Sequence, residues 1–264
     1  MDDVAAALAA DNKELRARLT ALERSHWNRL NPSRYLRRRN GSRSAPPPTA
    51  RSAIIDAREA NPALADFERE IVAHGRFSHL WALGHAGWWE PICQALYGRE
   101  TRALEVGSFE GLSAVYLLWR LPEAQVTCVD TFEGSLEHEG TDTVPAGLER
   151  VFDQNVALVD AARVRKLVGR SSVVLPQLAA ENERFDLVYL DGSHFGLDVL
   201  VDAAVSWQLL ENGGFLIFDD YLWAELGDDP LLRPRPAIDA FLAFVEGKYE
   251  LLFAHEQVAV RKHA

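Results

Sequence analysis

The strongest constraint on the fold of this chain is a regular alternation of short apolar runs with helical patterns after residue 100. The apolar runs predict strands, and the segments between them have the amphipathic spacing of helices. The predicted strands are 102–106, 125–130, 164–168, 187–190 and 214–218, and the predicted helices are 111–119, 146–158, 199–210 and 237–246. Such alternation is typical of a doubly wound α/β fold, with a mainly parallel sheet covered by helices on both faces.

The last segment of the chain departs from this alternation. Residues 249–254 and 258–261 predict two strands that flank His255-Glu256-Gln257 and form a hairpin. A closing hairpin would place an antiparallel strand in the sheet. Residues 53–264 therefore predict one α/β domain, which begins with a helical lead-in over 53–100.

Residues 1–37 predict a separate helical segment with coiled-coil-like spacing, joined to the domain by a proline-rich linker over 38–52. Leu8, Leu15 and Leu22 share one heptad position, and Asn12 occupies its partner position. A buried Asn is a device that fixes the register of a two-stranded coiled coil, so we expect a possible homodimer through this N-terminal helix. Three heptads are marginal alone, and an isolated or docked helix is the alternative.

Charge and composition exclude several classes of protein. The formal net charge is −11, yet residues 1–51 hold 11 Lys or Arg against 5 Asp or Glu, so the acidity lies in the remaining chain. An acidic body does not attract nucleic acid, whereas the basic arm is either a solvated segment or a contact for an anionic surface. No apolar run reaches the length of a membrane helix, about 18 residues. The acidic start and two cysteines predict a cytoplasmic protein without disulfides.

The residues that follow the first two strands indicate a nucleoside-containing cofactor. Gly107 and Gly111 allow a tight turn that brings the backbone close to a ligand. Asp130 ends the second strand, where a carboxylate accepts hydrogen bonds from ribose hydroxyls. The spacing G-x-x-x-G differs from the G-x-G-x-x-G that seats a pyrophosphate, which disfavours NAD and FAD.

Four segments carry a resemblance to a known family. Leu104-Glu105-Val106-Gly107-Ser108-Phe109-Glu110-Gly111 and Val129-Asp130-Thr131 resemble the first two motifs of class I S-adenosylmethionine-dependent methyltransferases. The segments 185–194 and 210–221 resemble the motifs of their fourth and fifth strands. The resemblance covers about residues 80 to 262 and is strongest to the bacterial branch that methylates sugars and natural-product hydroxyls. It implies a Rossmann-like, seven-stranded sheet.

The resemblance also implies roles for individual residues. Glu105 would hold the methionine amino group, Gly107 would pass beside the cofactor, and Asp130 would bind the ribose. The implied set of cofactor-binding residues is Glu105, Gly107, Ser108, Gly111, Asp130, Thr131, Ser171 and Asp191.

Three aspartates predict a metal site. Asp191 ends the fourth strand, while Asp219 and Asp220 end the fifth. Adjacent strands bring these carboxylates together, and like charges so close are relieved by a hard cation such as Mg²⁺. In the metal-dependent sugar O-methyltransferases that this chain resembles, carboxylates at these places bind such an ion. The alternative is that Asp219 or Asp220 caps a loop or faces water.

His194 is the candidate general base, and Asp191 is its predicted catalytic neighbour three residues earlier. An imidazole accepts a hydroxyl proton at neutral pH, although a structural or substrate-positioning role is equally open. These features predict an O-methyltransferase that acts on a sugar, a glycan or another small hydroxylated molecule. The alternatives are a nucleotide-cofactor oxidoreductase and a non-catalytic scaffold with the same fold.

Overall fold

A computed structural model describes residues 61, 63–134, 147–224, 226–227 and 229–263. All of them belong to one compact unit, Pro47–Ala264. The predicted N-terminal helix, its coiled-coil pairing and the linker over 38–52 lie outside the described residues. Among the helices that are described, none is long and apolar enough to cross a membrane.

A seven-stranded sheet organises the domain. Its strands are β1 Thr101–Val106, β2 Ala124–Asp130, β3 Val164–Val168, β4 Phe185–Leu190, β5 Leu210–Phe218, β6 Tyr249–Ala254 and β7 Val258–Lys262. Their order is β3-β2-β1-β4-β5-β7-β6. Strands β1 to β5 are parallel to their neighbours, and β7 lies antiparallel between β5 and β6. The predicted doubly wound fold with a closing hairpin is confirmed.

Helices cover both faces of the sheet. They are α1 Ala63–Glu70, α2 Trp81–Ala86, α3 Glu90–Leu96, α4 Leu112–Arg120, α5 Leu148–Val156, α6 Ser171–Ala180, α7 Gly196–Leu209 and α8 Pro234–Phe244. The lead-in is three short α-helices with 3₁₀ turns between them. Helix α6 was not predicted, because Pro176 interrupts a sequence whose apolar residues do not recur at a helical period.

The apolar core divides into two layers, one on each face of the sheet. On one face, Phe67, Trp89 and Phe152 are fully buried in a cluster with strand residues such as Tyr189 and Ile217. On the other face, helices α6, α7 and α8 bury their apolar stripes against the alternate residues of the same strands. Parallel strands that are covered on both faces bury consecutive residues, as the last four residues of β1 and of β4 do.

Polar contacts attach the lead-in to the loop that follows β1. Buried Asn155 of α5 donates to the carbonyls of Arg76 (2.9 Å) and Glu110 (2.8 Å) and accepts from the Arg76 N–H (2.7 Å). Glu110 in turn accepts hydrogen bonds from the backbone N–H and the hydroxyl of Ser78, both at 2.7 Å. These bonds fix the loop 107–111 against two separate segments, so the loop has little freedom.

Replacing Asn155 with alanine tests this attachment. The variant loses three hydrogen bonds and leaves buried backbone groups unpaired, so the free energy of unfolding should fall by about 2–4 kcal/mol. Gln154→Ala is the matched control, because Gln154 is exposed and bonds only the Arg76 side chain at 3.2 Å among the contacts described. Chemical denaturation measures both variants, and equal losses would show that Asn155 does not anchor the loop.

Candidate active site

The predicted site residues lie along the edge formed by the carboxyl ends of the parallel strands. Backbone hydrogen bonds continue the sheet one residue past each strand and fix this edge. They join Gly169 N to Asp130 O (2.9 Å), Gly107 N to Val129 O (2.9 Å), Asp191 N to Val106 O (2.8 Å) and Asp219 N to Leu190 O (2.9 Å). Residues that are far apart in sequence therefore stand side by side, as the switch-point rule for such sheets requires.

Gly107 marks the tightest point of this edge. Its φ is 84°, and a Cβ there would lie 1.9 Å from the carbonyl oxygen of Asp191. The loop after β1 thus crosses directly over the chain that leaves β4. Only glycine satisfies both the left-handed backbone and the close approach.

Asp130 shapes the loop after β1 from its place at the end of β2. Its Oδ2 accepts the backbone N–H groups of Ser108 (2.7 Å) and Phe109 (2.8 Å), and its Oδ1 accepts that of Phe132 (2.7 Å). A carboxylate has about four lone-pair sites, so one site of Oδ1 remains for a ligand. Binding of a ribose by Asp130 stays a prediction, and the internal hydrogen bonds were not predicted.

Glu105 is a buried acid at the end of β1. Its side chain is 0% exposed, and burial raises the pKa of its carboxyl to about 7. The thiol of Cys128 donates to Oε2 at 3.6 Å, whereas Oε1 has no hydrogen-bond partner among the described residues. A buried carboxylate oxygen without a partner is costly, so this position suits a cationic group of a ligand.

The remaining predicted cofactor residues are spread along the same edge. The Ser108 hydroxyl is buried beside Glu105, and Gly111, at φ 83°, precedes helix α4. Thr131 accepts the N–H of Glu133 at 3.3 Å. Ser171 begins helix α6, near Asp202, a carboxyl whose pKa burial raises to about 6.

Tyr189 bridges two of the predicted metal ligands. Its hydroxyl lies 2.9 Å from Asp191 Oδ2 and also contacts Asp219 Oδ2. Burial raises the pKa of Asp191 well above its ordinary value, and the charges of Asp219 and Asp220 raise it further.

His85 of α2 pairs with Asp219 and with an acid from the hairpin turn. Its Nδ1 lies 3.4 Å from Asp219 Oδ1, and its Nε2 lies 3.2 Å from Glu256 Oε2. Burial alone would lower the pKa of His85, but the two carboxylates outweigh burial and raise it to about 10. Asp219 is buried too, yet His85 holds the pKa of Asp219 below its usual value. These residues form an ionised group at neutral pH.

His194 lies on the other side of the acidic group. Its Nε2 is 2.7 Å from Asp220 Oδ2, and its ring packs on Trp223 with the centroids 4.4 Å apart. Possible ligand atoms of Asp191, His194 and Asp220 all lie within 4.8 Å of one another. The predicted set of Asp191, Asp219 and Asp220 stays a prediction. In the part of the chain that is described, His194 completes the convergent group, while Asp219 turns toward Tyr189 and His85.

Three contributors to this region were missed by the sequence prediction. His85 is not among the residues that the sequence analysis singled out, and Glu256 appears there only as part of a turn. Tyr189 lies two residues before Asp191 in an otherwise apolar strand, and its side chain points to the same face. A tyrosine in a buried strand beside Asp191 could have indicated a polar partner for that residue. His85 and Glu256 are 171 residues apart, and no local pattern indicates that they meet.

Comparison with known proteins identifies the central segment. Residues 104–221 match a protein-family model described as a methyltransferase domain. This segment includes the loop after β1, Asp130, the acidic group and His194. No curated protein sequence matches the chain.

Solved structures with the same fold include two enzymes of natural-product pathways. The MycE methyltransferase from the mycinamycin biosynthetic pathway, in complex with Mg, SAH and mycinamycin VI, is 16% identical. The alignment covers 77% of this chain and 54% of MycE, with a TM-score of 0.54, so the chain spans about half the length of MycE. The O-methyltransferase TomG from Streptomyces achromogenes, involved in tomaymycin synthesis and in complex with SAM, is also 16% identical. That alignment covers 80% of this chain and 90% of TomG, with a TM-score of 0.50. At such identities the similarity shows the fold.

A pair of glycine substitutions tests the close approach at the edge. Gly98→Ala introduces only the strain of a positive φ, since nothing lies within 4 Å of a Cβ there, and should cost about 1–2 kcal/mol. Gly107→Ala adds a clash with the backbone of Asp191 and should lower the free energy of unfolding by about 3 kcal/mol or more. Denaturation curves for both variants provide the measurement. Equal costs would contradict the crossing of the two chains.

Proposed function

We propose that the chain is an S-adenosylmethionine-dependent O-methyltransferase, because residues 104–221 match a family model described as a methyltransferase domain. Its acceptor is a hydroxyl of a sugar, a glycan or a glycosylated natural product, and a divalent ion, Mg²⁺, assists the transfer. One observation carries the proposal: the matched segment brings the loop after β1 and the group Asp191, His194 and Asp220 to the same edge of the sheet. The similarity to MycE, in complex with Mg, SAH and mycinamycin VI, and to TomG, in complex with SAM, supports it.

The cofactor side of the site fits S-adenosylmethionine, which supplies a sulfonium methyl group for transfer. Glu105 offers a buried carboxylate oxygen without a described partner, and this oxygen would receive the ammonium of the methionine part. Asp130 keeps one lone-pair site of Oδ1 for a ribose hydroxyl. Gly107 has no side chain, so the loop that would contact the cofactor can lie directly against Asp191.

The acceptor side fits a small polyhydroxylated molecule. Asp191 and Asp220 would hold the ion, whose chemistry when bound is to lower the pKa of a coordinated hydroxyl. His194, oriented by Asp220 and supported by Trp223, would accept the proton from that hydroxyl. Two neighbouring hydroxyls are able to reach one ion, which favours sugars over protein or nucleic acid.

The other candidate functions have less support. An oxidoreductase that uses a dinucleotide would need the G-x-G-x-x-G turn, which the loop after β1 lacks. A non-catalytic scaffold would have no need for a buried acid such as Glu105 beside the glycine turn. We also propose a reducing, cytoplasmic setting, which the two buried free cysteines, Cys93 and Cys128, support.

Calorimetry with S-adenosylhomocysteine tests the cofactor assignment. The ionised carboxylate of Glu105 binds an ammonium group better than the neutral acid does. Burial raises the pKa of the Glu105 carboxyl to about 7 when no ligand is bound. Affinity should therefore rise as the pH increases from 6 to 8, by up to about tenfold. Glu105→Gln should weaken binding by about 1.5–3 kcal/mol and remove this pH dependence. Glu100→Gln, an exposed acid just before β1, is the control and should behave as wild type. Absence of binding by the wild-type chain would refute the proposed function.

Replacement of His194 tests the acceptor side. With a hydroxylated acceptor identified by screening sugars for release of S-adenosylhomocysteine, His194→Ala should lower kcat by about 10²–10⁴-fold. The affinity for S-adenosylhomocysteine should not change, and exposed His74 provides the control variant His74→Ala. EDTA should abolish activity, and added Mg²⁺ should restore it. Loss of Mn²⁺ binding in His194→Ala would make His194 an ion ligand, whereas full activity in EDTA would exclude the metal.

A further inference from the structure

We propose that His85 and Tyr189 are positioning residues that hold the Asp191 carboxylate at the ion site, with Asp219 as the link between them. The inference rests on the proposed function and deepens it. It gives Asp219 a role in orienting the site, and it makes the helical lead-in part of the site through His85.

The first step is that His85 has a single available orientation. Its two ring nitrogens face Asp219 Oδ1 at 3.4 Å and Glu256 Oε2 at 3.2 Å, from opposite sides. Its ring stacks on Trp88, with the centroids 5.4 Å apart and the planes at 15°. Rotation of the ring would break a charged contact and the stacking together, because the side chain is only 17% exposed.

The second step is that both oxygens of Asp219 are engaged inside the protein. Oδ1 faces His85 and accepts the N–H of Asp220 at 2.8 Å, while Oδ2 contacts the Tyr189 hydroxyl. Asp219 itself is 8% exposed. A carboxylate bound in this way has little freedom to turn toward an ion, but it fixes where the Tyr189 hydroxyl lies.

The third step connects this support to Asp191. The Tyr189 hydroxyl, fully buried between the strands and Trp89, also lies 2.9 Å from Asp191 Oδ2. This contact orients the carboxyl group of Asp191, which also belongs to the group formed with His194 and Asp220. Contacts run without interruption from α2 through the end of β5 to the end of β4.

The β6–β7 turn holds the outer end of these contacts. The Glu256 carbonyl accepts the Tyr221 N–H at 2.9 Å, and the Gln257 side chain accepts the indole N–H of Trp89 at 2.7 Å. Glu256 is therefore fixed by its own backbone as well as by His85. Partners that orient a ligand residue in this way typically change metal affinity by about 10–100-fold when they are removed.

Mn²⁺ binding to the full-length chain, followed by electron paramagnetic resonance without acceptor, tests the inference. Tyr189→Phe removes one oxygen and keeps the packing, and His85→Ala removes the contact with Asp219. Each should weaken Mn²⁺ binding by about 10–100-fold, while the affinity for S-adenosylhomocysteine measured in parallel should not change. His85→Gln keeps an N–H donor and should bind Mn²⁺ more tightly than His85→Ala. The double variant should bind Mn²⁺ no more weakly than the weaker single variant, because His85 acts on Asp191 only through Asp219 and Tyr189.

His255→Gln is the matched control. His255 packs on Trp88 and Phe253 in the same aromatic group, at centroid distances of 4.2 Å and 5.1 Å. Equal weakening of Mn²⁺ binding in this control, or wild-type Mn²⁺ binding in Tyr189→Phe and His85→Ala, would overturn the inference. A wild-type chain that binds S-adenosylhomocysteine but no Mn²⁺ would overturn it and leave the cofactor assignment intact. A chain that binds neither would refute the proposed function as well.

Discussion

The site depends on one backbone contact, the hydrogen bond from Asp191 N to Val106 O at 2.8 Å. It fixes the end of β4 against the end of β1, at the point where Gly107 crosses over the Asp191 carbonyl. The loop after β1 and the acidic group are thereby adjacent. The two helical layers then hold the sheet in this register, since the central strands β1, β4 and β5 are buried on both faces.

The carboxylates of the site divide into two kinds according to what they bind inside the protein. Asp130 and Asp219 accept hydrogen bonds from neighbouring backbone N–H groups and contact neighbouring side chains. These bonds fix the conformation of the loops that contain their partners. Glu105 has a buried oxygen without a hydrogen-bond partner among the described residues, and Asp191 lies close to His194 and Asp220. Side chains that are already ordered lose little conformational entropy when a ligand binds, so preorganisation makes binding more favourable. The buried acids thus combine rigidity with a few specific points of attachment.

The sequence predicted the sheet, its closing hairpin and the edge where the site lies, because apolar runs and the residues after them are local signals. Strand limits differed by a few residues, as in β5, which begins at Leu210 instead of residue 214. Helix α6 was not predicted, because it contains Pro176 and its apolar residues do not recur at a helical period. His85 and Glu256 were missed for another reason. They come together only through packing between segments that are 171 residues apart, and a local sequence pattern does not indicate such packing.

The distance in sequence between His85 and Glu256 has a consequence for biosynthesis. During translation the strands β1 to β5 emerge in order, so the loop around Gly107 and Asp130 has all its contact partners before the last hairpin has left the ribosome. The contacts of His85 with Glu256 and of Trp89 with Gln257 form only after residue 257 is available. A nascent chain therefore forms the contacts of the loop around Gly107 first, and it forms the contacts that join the lead-in to the hairpin turn last.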